Sequence, residues 1–567
     1  MNPDQKKYLL KVNKFGQSVF IVISLIVLFS SILPAQNPLD NVKIGIVFSE
    51  QTWNEVHSGD NNFYFIRDWE IFFLDRKISY RVYTDDELDD YDFDDEDILI
   101  LPGVEILSDG AVENIKDYMS AGKSIFILGN IGNYKTGTRK RFENICNELT
   151  GITPIEINNQ QRLATSITLK LNNPFINEFF DQQLVLSTNI NCYAANQNNE
   201  FFNLGYYSNS ESNNNRIQSS IVCGNKNTGR FAWLGFQILQ ISDGLSKYSM
   251  AEKLILNVLQ FLGNNTLVSI NNFPSSYNQA VVFINKLKDG KNFQNFVQGN
   301  NSLSNISFNN FITPENLDEN KIDLNYLKAF GDIHLIYNKI DYLNKSAHEI
   351  NGIYQNVENE IEKSTHQNSI GILNESPFNS DFQSDSVDFT GFNFRMNNLA
   401  IVNNQNGNSI LYKKFLFAKS SNENYKEFKS ENILTDNQIL IIPVVDEFNM
   451  SKNLNKDEFQ SLQINLIKNN CWFTNLNQLI NWNELWNNIS FYVNNYEDEK
   501  KIEVVVRNNN YVSVNDIGFK LILPKKYSSA TTSEIGTRIY FDYNEHFYRL
   551  LIESIGANQQ KRIVISE

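Results

Sequence analysis

Short apolar runs that alternate with helical segments constrain the fold of this 567-residue chain more than any other feature. Between residues 41 and 265 the clearest runs are 42–48, 97–103 and 124–129, each too short for a helix and rich in isoleucine, valine or leucine. A segment at 111–120 separates two of them, and its apolar residues recur at helical spacing. Strands separated by helices favour a parallel, doubly wound sheet, so we expect an α/β protein of several domains.

The rest of the chain divides into two further parts. Residues 279–485 again alternate strand-like runs with helices, which predicts a second α/β domain. Over residues 488–567 the helix signals vanish, and five β-rich runs predict a small C-terminal β-sandwich. The polar segment 264–278 contains Phe-Pro-Ser-Ser and is predicted to link the first domain, 41–265, to the second.

The N-terminus carries the pattern of an export signal. Four lysines precede an apolar run at 19–33, which Pro34-Ala35-Gln36 closes. This order is typical of a secretory signal peptide, although the run approaches the length of a spanning helix. We therefore predict a signal peptide or a single membrane anchor over residues 1–36. The protein is then expected to be exported: periplasmic, at the cell surface, or anchored to the membrane by this segment alone.

Charge and cysteine content exclude several functions. The chain has 49 basic and 65 acidic residues, a net charge of −16, which argues against a nucleic-acid partner. Its four cysteines form no Cys-x-x-Cys pair, so a structural zinc site or a thioredoxin-type centre is not expected. Cys192 and Cys223 could pair in an exported protein, but free, buried cysteines are the favoured interpretation.

Two polar segments of the first domain are candidates for a metal-binding or catalytic site. Asp90, Asp92 and Asp94 have the spacing of a calcium loop, but its glycine and its final glutamate are absent, so a solvated acidic connector is favoured. The loop that begins at His57 follows the first strand, where open α/β sheets present ligand sites. No Gly-x-Ser-x-Gly nucleophile elbow accompanies it, and catalysis there is not expected.

The runs at 97–103 and 122–129, with the helix between them, resemble the class I glutamine-amidotransferase-like fold, a doubly wound arrangement of the flavodoxin-like kind. In that family a sharp turn after the strand presents a nucleophilic cysteine. The matching turn here reads Gly-Asn-Ile-Gly, so Asn130 or Ile131 stands at the nucleophile's position. The helper histidine is also absent, because residues 58–333 contain no histidine. The resemblance therefore implies a non-catalytic copy.

Residues 279–485 resemble a polysaccharide deacetylase of the NodB-like family, whose fold is a distorted β/α barrel. In that family paired aspartates follow the first strand: one is the base, and the other binds a divalent metal with two histidines spaced His-x-x-x-His. Here Asn285 and Lys286 stand at the aspartate positions. His334 stands at the first histidine position and Asn338 at the second. Later family landmarks keep their order and lose their catalytic residues, at 375–379, 388–392 and 470–482.

These substitutions remove the groups that the family's hydrolysis requires. One histidine and two amide side chains are a weak donor set for a divalent metal, and Lys286 adds a positive charge beside them. We therefore expect no cofactor. A divalent metal such as zinc would bind only if the site is active, with His334 as its expected ligand.

The two resemblances together imply an exported pseudoenzyme of the cell envelope. The favoured interpretation is a non-catalytic, polysaccharide-deacetylase-like protein that binds or organises an envelope or secreted polysaccharide. Two alternatives remain open. One is an active metal-dependent carbohydrate deacetylase that uses His334, and the other is an envelope scaffold that binds other proteins.

Overall fold

The fold is given by a computed structural model. The residues that the structure describes are 39, 41–58, 65–137, 144–157, 166–170, 173–176, 183–186, 192–196, 200–207, 218–241, 249–299, 306–318, 322–337, 342, 344–367, 370–374, 394–397, 400–403, 439–448, 454–496, 500–525, 527 and 529–567. The export segment predicted at 1–36 lies outside them and stays a prediction. Within the described residues, no helix has both the length and the apolar character needed to cross a bilayer.

The first domain contains thirteen described strands and six described α-helices. In chain order they are β1 (Ile44–Val47), α1 (Glu50–Glu55), α2 (Ile66–Arg76), β2 (Arg81–Tyr83), α3 (Asp85–Asp89), β3 (Ile98–Pro102), β4 (Ile106–Leu107), α4 (Asp109–Ser120), β5 (Ser124–Leu128), β6 (Tyr134–Lys135), α5 (Ile145–Thr150), β7 (Ile155–Ile157), β8 (Ser166–Leu169), β9 (Gln183–Val185), β10 (Cys192–Asn196), β11 (Phe202–Tyr207), β12 (Gln218–Lys226), β13 (Gly229–Leu234) and α6 (Met250–Leu262).

The main sheet of this domain is half parallel and half antiparallel. Its strand order is β2-β1-β3-β5-β13-β12-β11-β8-β9. The pairs from β2 to β13 are parallel, as the alternation of strands and helices predicts. The pairs from β13 to β9 are antiparallel, because β12 and β13 form a hairpin around Asn227, whose φ is +54°. The mixed α/β character predicted from the sequence is therefore confirmed, with an antiparallel extension.

Helix α4 shows how the sequence positions these elements. The Ser108 hydroxyl caps the helix by accepting a hydrogen bond from the backbone N–H of Ala111 at 2.9 Å. Val112, Ile115 and Met119 are buried against one face of the sheet. Helices α2 and α6 cover the opposite face. The central strands are thus buried on both sides, which explains why their sequences are continuously apolar.

The middle of the chain forms a second sheet with its own helices. Its elements, preceded by one strand of another sheet, are β14 (Leu267–Ile270), β15 (Gln279–Leu287), α7 (Lys291–Gln298), β16 (Phe308–Ile312), α8 (Pro314–Asp318), α9 (Leu324–Lys328), β17 (Gly331–Tyr337), α10 (Ala347–Thr365), β18 (Gly371–Asn374), β19 (Phe394–Asn397), β20 (Ala400–Asn403), β21 (Ile439–Asp446), α11 (Lys456–Lys468), β22 (Cys471–Thr474) and α12 (Leu476–Asn487).

This second sheet is a half-barrel. Its order is β20-β19-β18-β17-β16-β15-β21, with β22 paired to the start of β15, and the pair of β19 with β20 is antiparallel whereas the others are parallel. No hydrogen-bonded pair of described strands closes the sheet into a ring. Helices α7, α9, α10 and α11 pack on its outer face, and α12 packs on its inner face.

The C-terminal domain consists of two four-stranded antiparallel sheets. Its strands are β23 (Ile489–Tyr496), β24 (Lys501–Asn508), β25 (Val514–Ile522), β26 (Thr531–Thr532), β27 (Thr537–Asp542), β28 (Phe547–Ile555) and β29 (Gln560–Ser566). One sheet has the order β23-β24-β29-β26 and the other β14-β25-β28-β27. Side chains of both sheets share one core, which is what the β-rich runs after residue 488 predict.

The segment predicted as a linker is instead part of the folded structure. Strand β14 lies within it and pairs antiparallel with β25, from Leu267 opposite Ile522 to Ile270 opposite Phe519. The following turn is held by Asn271, whose Nδ2 lies 2.8–3.1 Å from three backbone carbonyl oxygens. The linker prediction is wrong here because four residues of strand pattern among asparagines give too weak a signal.

Candidate functional site

His334 lies in the middle of β17, and its side chain is completely buried. Its Nδ1 accepts a hydrogen bond from the backbone N–H of Gly371 at 3.1 Å, and its Nε2 lies 3.3 Å from Oδ1 of Asn309. These partners assign the proton to Nε2. Burial lowers the pKa of His334 to about 4, and the nearby Asp332 carboxylate opposes that shift only in part. The imidazole is therefore neutral at physiological pH, with both ring nitrogens engaged inside the sheet.

The structure does not bring Asn285 and His334 to one site. In the register of the sheet, Lys286, Phe311 and His334 form one row across three strands, and Asn285 belongs to the neighbouring row. Neighbouring residues of a strand point to opposite faces. Asn285 accordingly faces the outer helices, where its Nδ2 donates to Oδ1 of Asn310 at 2.8 Å.

His334 faces the inner side of the half-barrel, where its ring packs 5.2 Å from that of Phe311. Lys286 lies on the same face, one strand beyond Phe311. Asn338, predicted at the second histidine position, lies outside the described residues, as do the landmarks at 375–379 and 388–392. Of the four positions predicted from the family, two therefore share a face.

Asn309 is the residue of this region that the sequence reasoning missed. Its buried Nδ2 donates to the carbonyl of Phe283 at 3.1 Å, and its Oδ1 accepts from the backbone N–H of Leu476 at 2.9 Å. It thus joins β15 and the start of α12 to the imidazole of His334. Two adjacent asparagines between phenylalanines at 308–311 were the available signal, since buried strands rarely carry amides without a partner.

The described residues around His334 do not provide a suitable set of ligands for a divalent metal. Zinc needs about three protein donors and one open position, yet the Nδ1 lone pair of His334 already accepts the Gly371 N–H. Asn285 faces the other side of the sheet, and Lys286 brings a positive charge to the same face as His334. Among the described residues, no group of three or more histidine, cysteine, aspartate or glutamate side chains is arranged to hold a metal ion.

The turn predicted at the amidotransferase nucleophile follows β5 at the carboxyl edge of the first sheet. Gly129 and Gly132, with φ of +75° and +63°, bracket it. Ile131 is buried in the core. The Oδ1 of Asn130 accepts from the backbone N–H of Ile131 at 2.9 Å, and its Nδ2 donates to Oδ1 of Asn133 at 2.6 Å. Neither an alkyl nor an amide side chain can act as a nucleophile there.

A chain of polar contacts extends from this turn to His57. Asn133 donates through Nδ2 to Oε2 of Glu105 at 2.9 Å, and Oε1 of Glu105 lies 3.6 Å from Nε2 of His57. Burial raises the pKa of Glu105, which Asn133 counteracts and the charge of Glu156 reinforces. A small open cleft adjoins His57 at the ends of β1 and β3, where the strand order reverses and α/β sheets commonly bind ligands.

The hydroxyl groups that line this small cleft already form hydrogen bonds within the folded chain. Ser49 caps α1 and donates through Oγ to Oγ1 of Thr52 at 2.8 Å, and that oxygen also accepts from the backbone N–H of Ile106 at 3.0 Å. The 3.6 Å between Nε2 of His57 and Oε1 of Glu105 is longer than a hydrogen bond, and the described side chains around them supply no nucleophile. The arrangement therefore suits the binding of a small polar group better than its hydrolysis.

The acidic run and the cysteines carry no catalytic arrangement. Residues 85–89 form the short helix α3, and Asp90, Asp92 and Asp94 after it are exposed, as a solvated connector requires. All four cysteines are free and buried, including Cys192 and Cys223. Burial raises the pKa of the Cys146 thiol to about 12, which removes the thiolate that a nucleophile needs.

A wide cleft lies between the first domain and the C-terminal domain. It is open to solvent and has a volume of about 1480 Å³. We call it the interdomain cleft, and its walls include Phe202, Arg230, Lys525, Phe541, Tyr543 and Tyr548. A second cleft adjoins it and shares Phe202 and Tyr543. The interdomain cleft could not be predicted from the sequence, because the residues of its two walls lie about 300 positions apart in the chain.

Comparison with known proteins adds no functional assignment. No family model and no curated protein sequence matches the chain. Among solved structures, a β-galactosidase from Rahnella sp. R3 is 12% identical with a TM-score of 0.31, over 45% of this chain and 37% of that enzyme. A β-galactosidase from Bacillus circulans is 11% identical with a TM-score of 0.29, over 42% of this chain and 35% of the enzyme.

A ThuA-like protein from Bacteroides uniformis is 12% identical with a TM-score of 0.27, over 39% of this chain and 91% of that protein. The chain thus spans little more than a third of the two β-galactosidases. At these TM-scores the likenesses carry no argument about activity. The chain is an α/β multidomain protein.

Proposed function

We propose that the chain is an exported protein that binds or organises an envelope or secreted polysaccharide without cleaving it. The observation that carries the proposal is the burial and the hydrogen bonding of His334. Its imidazole is completely buried, its Nδ1 accepts a backbone N–H, and its Nε2 faces an amide oxygen. A histidine committed in this way supports a role in holding the sheet rather than in binding a catalytic metal.

The finer family assignments belong to this proposal. We assign the first domain to the amidotransferase-like fold, the half-barrel to a degenerate polysaccharide-deacetylase-like barrel, and the C-terminal domain to a β-sandwich. The export segment at 1–36 would place all three domains outside the cytoplasmic membrane. The expected partners are a glycan and, in second place, other envelope proteins.

The interdomain cleft supports the choice of a sugar as ligand. Tyr543 is 81% exposed at its mouth, and Phe541 and Tyr548 stand beside it. Aromatic faces offer apolar surface to the C–H groups of a sugar ring, and a tyrosine adds a hydroxyl at the edge. A soluble protein that exposes a large aromatic side chain in a wide cleft commonly uses it for binding.

Acetate release tests the absence of hydrolysis. The purified full-length chain is incubated with a panel of acetylated glycans, with zinc, with cobalt and with a chelator, beside the variant His334→Gln. We expect no acetate above background under any condition, because the described residues around His334 provide no metal donor set. Glycan binding, measured by isothermal titration calorimetry, should persist in wild type and variant alike.

Release that a chelator abolishes and His334→Gln removes would contradict the proposal and establish a metal-dependent deacetylase. A folded chain that neither releases acetate nor binds any glycan, but crosslinks to envelope proteins, would replace it with the scaffold function. Glycan binding without release is the result that the proposal requires.

A further inference from the structure

The two walls of the interdomain cleft are fixed relative to each other. Ile522 and Phe547 of the C-terminal domain are buried in the core of the first domain. Nη2 of Arg230 donates to the carbonyl of Leu523 at 2.9 Å, and the backbone N–H of Lys525 donates to Oδ1 of Asn264 at 3.0 Å. The cleft is therefore a preformed feature of the fold, which lowers the entropic cost of binding a ligand.

One wall presents an aromatic cluster, formed by Phe541, Tyr543 and Tyr548. The ring of Phe541 packs edge-on against Tyr543 at 5.1 Å and against Tyr548 at 5.0 Å between centroids. Tyr543 belongs to the turn between β27 and β28, so the hairpin holds it at the mouth of the cleft. Because Phe541 contacts both tyrosine rings, the exposed ring of Tyr543 belongs to a continuous aromatic surface.

Elsewhere in its lining, the cleft carries positive charge from Arg230 of the first domain and Lys525 of the C-terminal domain. Nη1 of the buried Arg230 donates to the carbonyl of Phe261 at 2.6 Å, whereas its Nε has no hydrogen-bond partner. The Nζ of Lys525 donates to the carbonyl of Thr228. Neither cation lies within ion-pair distance of a described carboxylate. Burial lowers the pKa of Lys525 to about 8, and the charge of Arg230 adds to that shift.

The charges around the cleft differ in sign from the chain as a whole. The charged side chains among its described lining residues are Arg230, Lys525 and Glu200, a small positive excess in a chain of net charge −16. A buried guanidinium without a carboxylate is costly, and an anionic ligand group nearby would reduce that cost. A ligand with an apolar ring face and a negative group would match both the aromatic cluster and these two cationic side chains.

We propose that the interdomain cleft binds a stretch of uronate-containing polysaccharide, with a sugar ring on Tyr543 and its carboxylate at Lys525. The buried Arg230 guanidinium adds attraction through its charge. This inference rests on the proposed function, because it names the class of polysaccharide and the site. It commits to a carboxylated glycan, since a neutral one would bring no anionic group to Arg230 and Lys525.

Binding of two matched polymers tests the inference. The purified full-length chain is titrated calorimetrically with polygalacturonate and with the same polymer after reduction of its carboxyl groups. Tyr543→Ala should weaken polygalacturonate binding by about tenfold, as loss of a central aromatic contact does. Lys525→Gln should weaken it by about threefold, in the range of an exposed charge pair. The carboxyl-reduced polymer should bind more weakly than polygalacturonate.

Two control variants carry the same substitutions outside the cleft. Tyr511→Ala removes a tyrosine that is 92% exposed in the same domain, and Lys363→Gln removes an exposed charge from α10. Both should bind polygalacturonate like wild type. Binding that Tyr543→Ala and Lys525→Gln leave unchanged, or equal binding of both polymers, would overturn the inference and leave the proposed function standing. Failure to bind any polysaccharide would overturn both.

Discussion

His334 and Asn309 connect strands β15 to β18 through buried side-chain hydrogen bonds. Each buried polar atom involved has a partner, which is the condition under which amides and imidazoles are tolerated in a core. The interaction is specific for a neutral imidazole, since a proton on Nδ1 would oppose the N–H of Gly371. Protonation of His334 must therefore destabilise the half-barrel.

The stability of the half-barrel should depend on pH through His334. Its pKa is about 4 in the folded chain against an ordinary 6.5, so the unfolded chain takes up the proton first as the pH falls. Stability attributable to this group is complete above pH 6.5 and is lost between about pH 6.5 and 4, by about 3 kcal/mol. Urea unfolding of wild type and His334→Gln over this range measures the difference.

His348→Gln, on an exposed position of α10, is the matched control and should follow the wild type at every pH. If wild type and His334→Gln lose stability in parallel as the pH falls, His334 does not have the lowered pKa on which the argument depends.

Most of the strands and helices could be predicted from the sequence, but the way they pack against one another could not. The apolar runs at 97–103 and 124–129 became β3 and β5, and the periodic segment at 111–120 became α4. The periodicity of apolar residues depends only on neighbouring positions, so it indicates a strand or a helix whatever the arrangement of the rest of the chain. The opposite orientation of Asn285 and His334 depends instead on the register of three strands, which no single run encodes.

Strand β14 should contribute strongly to the stability of the C-terminal domain although it lies far away in sequence. Ile270 is buried in the core shared by the two C-terminal sheets. Ile270→Ala should lower the free energy of unfolding by about 2–4 kcal/mol, as truncation of a buried isoleucine does. Thermal unfolding, followed by circular dichroism, measures this loss.

Ile535→Ala makes the same substitution at a side chain that is 92% exposed in the same domain, and it should change stability by less than about 0.5 kcal/mol. Equal effects of the two substitutions would mean that β14 does not pair with β25 as the structure has it.

The three domains do not share hydrophobic core residues with one another to the same extent. Phe547 of the C-terminal domain is buried in the core of the first domain, and Trp482 of α12 is buried in the core of the C-terminal domain, whereas Phe459 is buried in the outer core of the half-barrel. Elements that share a core tend to open together, and elements with separate cores open separately. The first and C-terminal domains, with α12, should therefore behave as one cooperative unit, separate from the outer core of the half-barrel.

Hydrogen exchange detected by mass spectrometry tests this division. Phe547→Ala, which costs about 3–5 kcal/mol in a buried position, should lower amide protection in β13 and in β28 together and leave β17 unchanged. Phe459→Ala, the matched variant, should lower protection in β16 and β17 and leave β28 unchanged. Loss of protection confined to β28 in Phe547→Ala would contradict a shared unit.

Strand β14 also sets the order in which the chain can finish folding during its synthesis. It leaves the ribosome before the whole half-barrel, yet its partner β25 follows the half-barrel in the sequence. The sheet of β14, β25, β28 and β27 cannot be completed until the last strands have emerged. A nascent chain therefore carries an unpaired strand edge throughout synthesis of its middle part, and chaperones that cover such edges have their longest opportunity there.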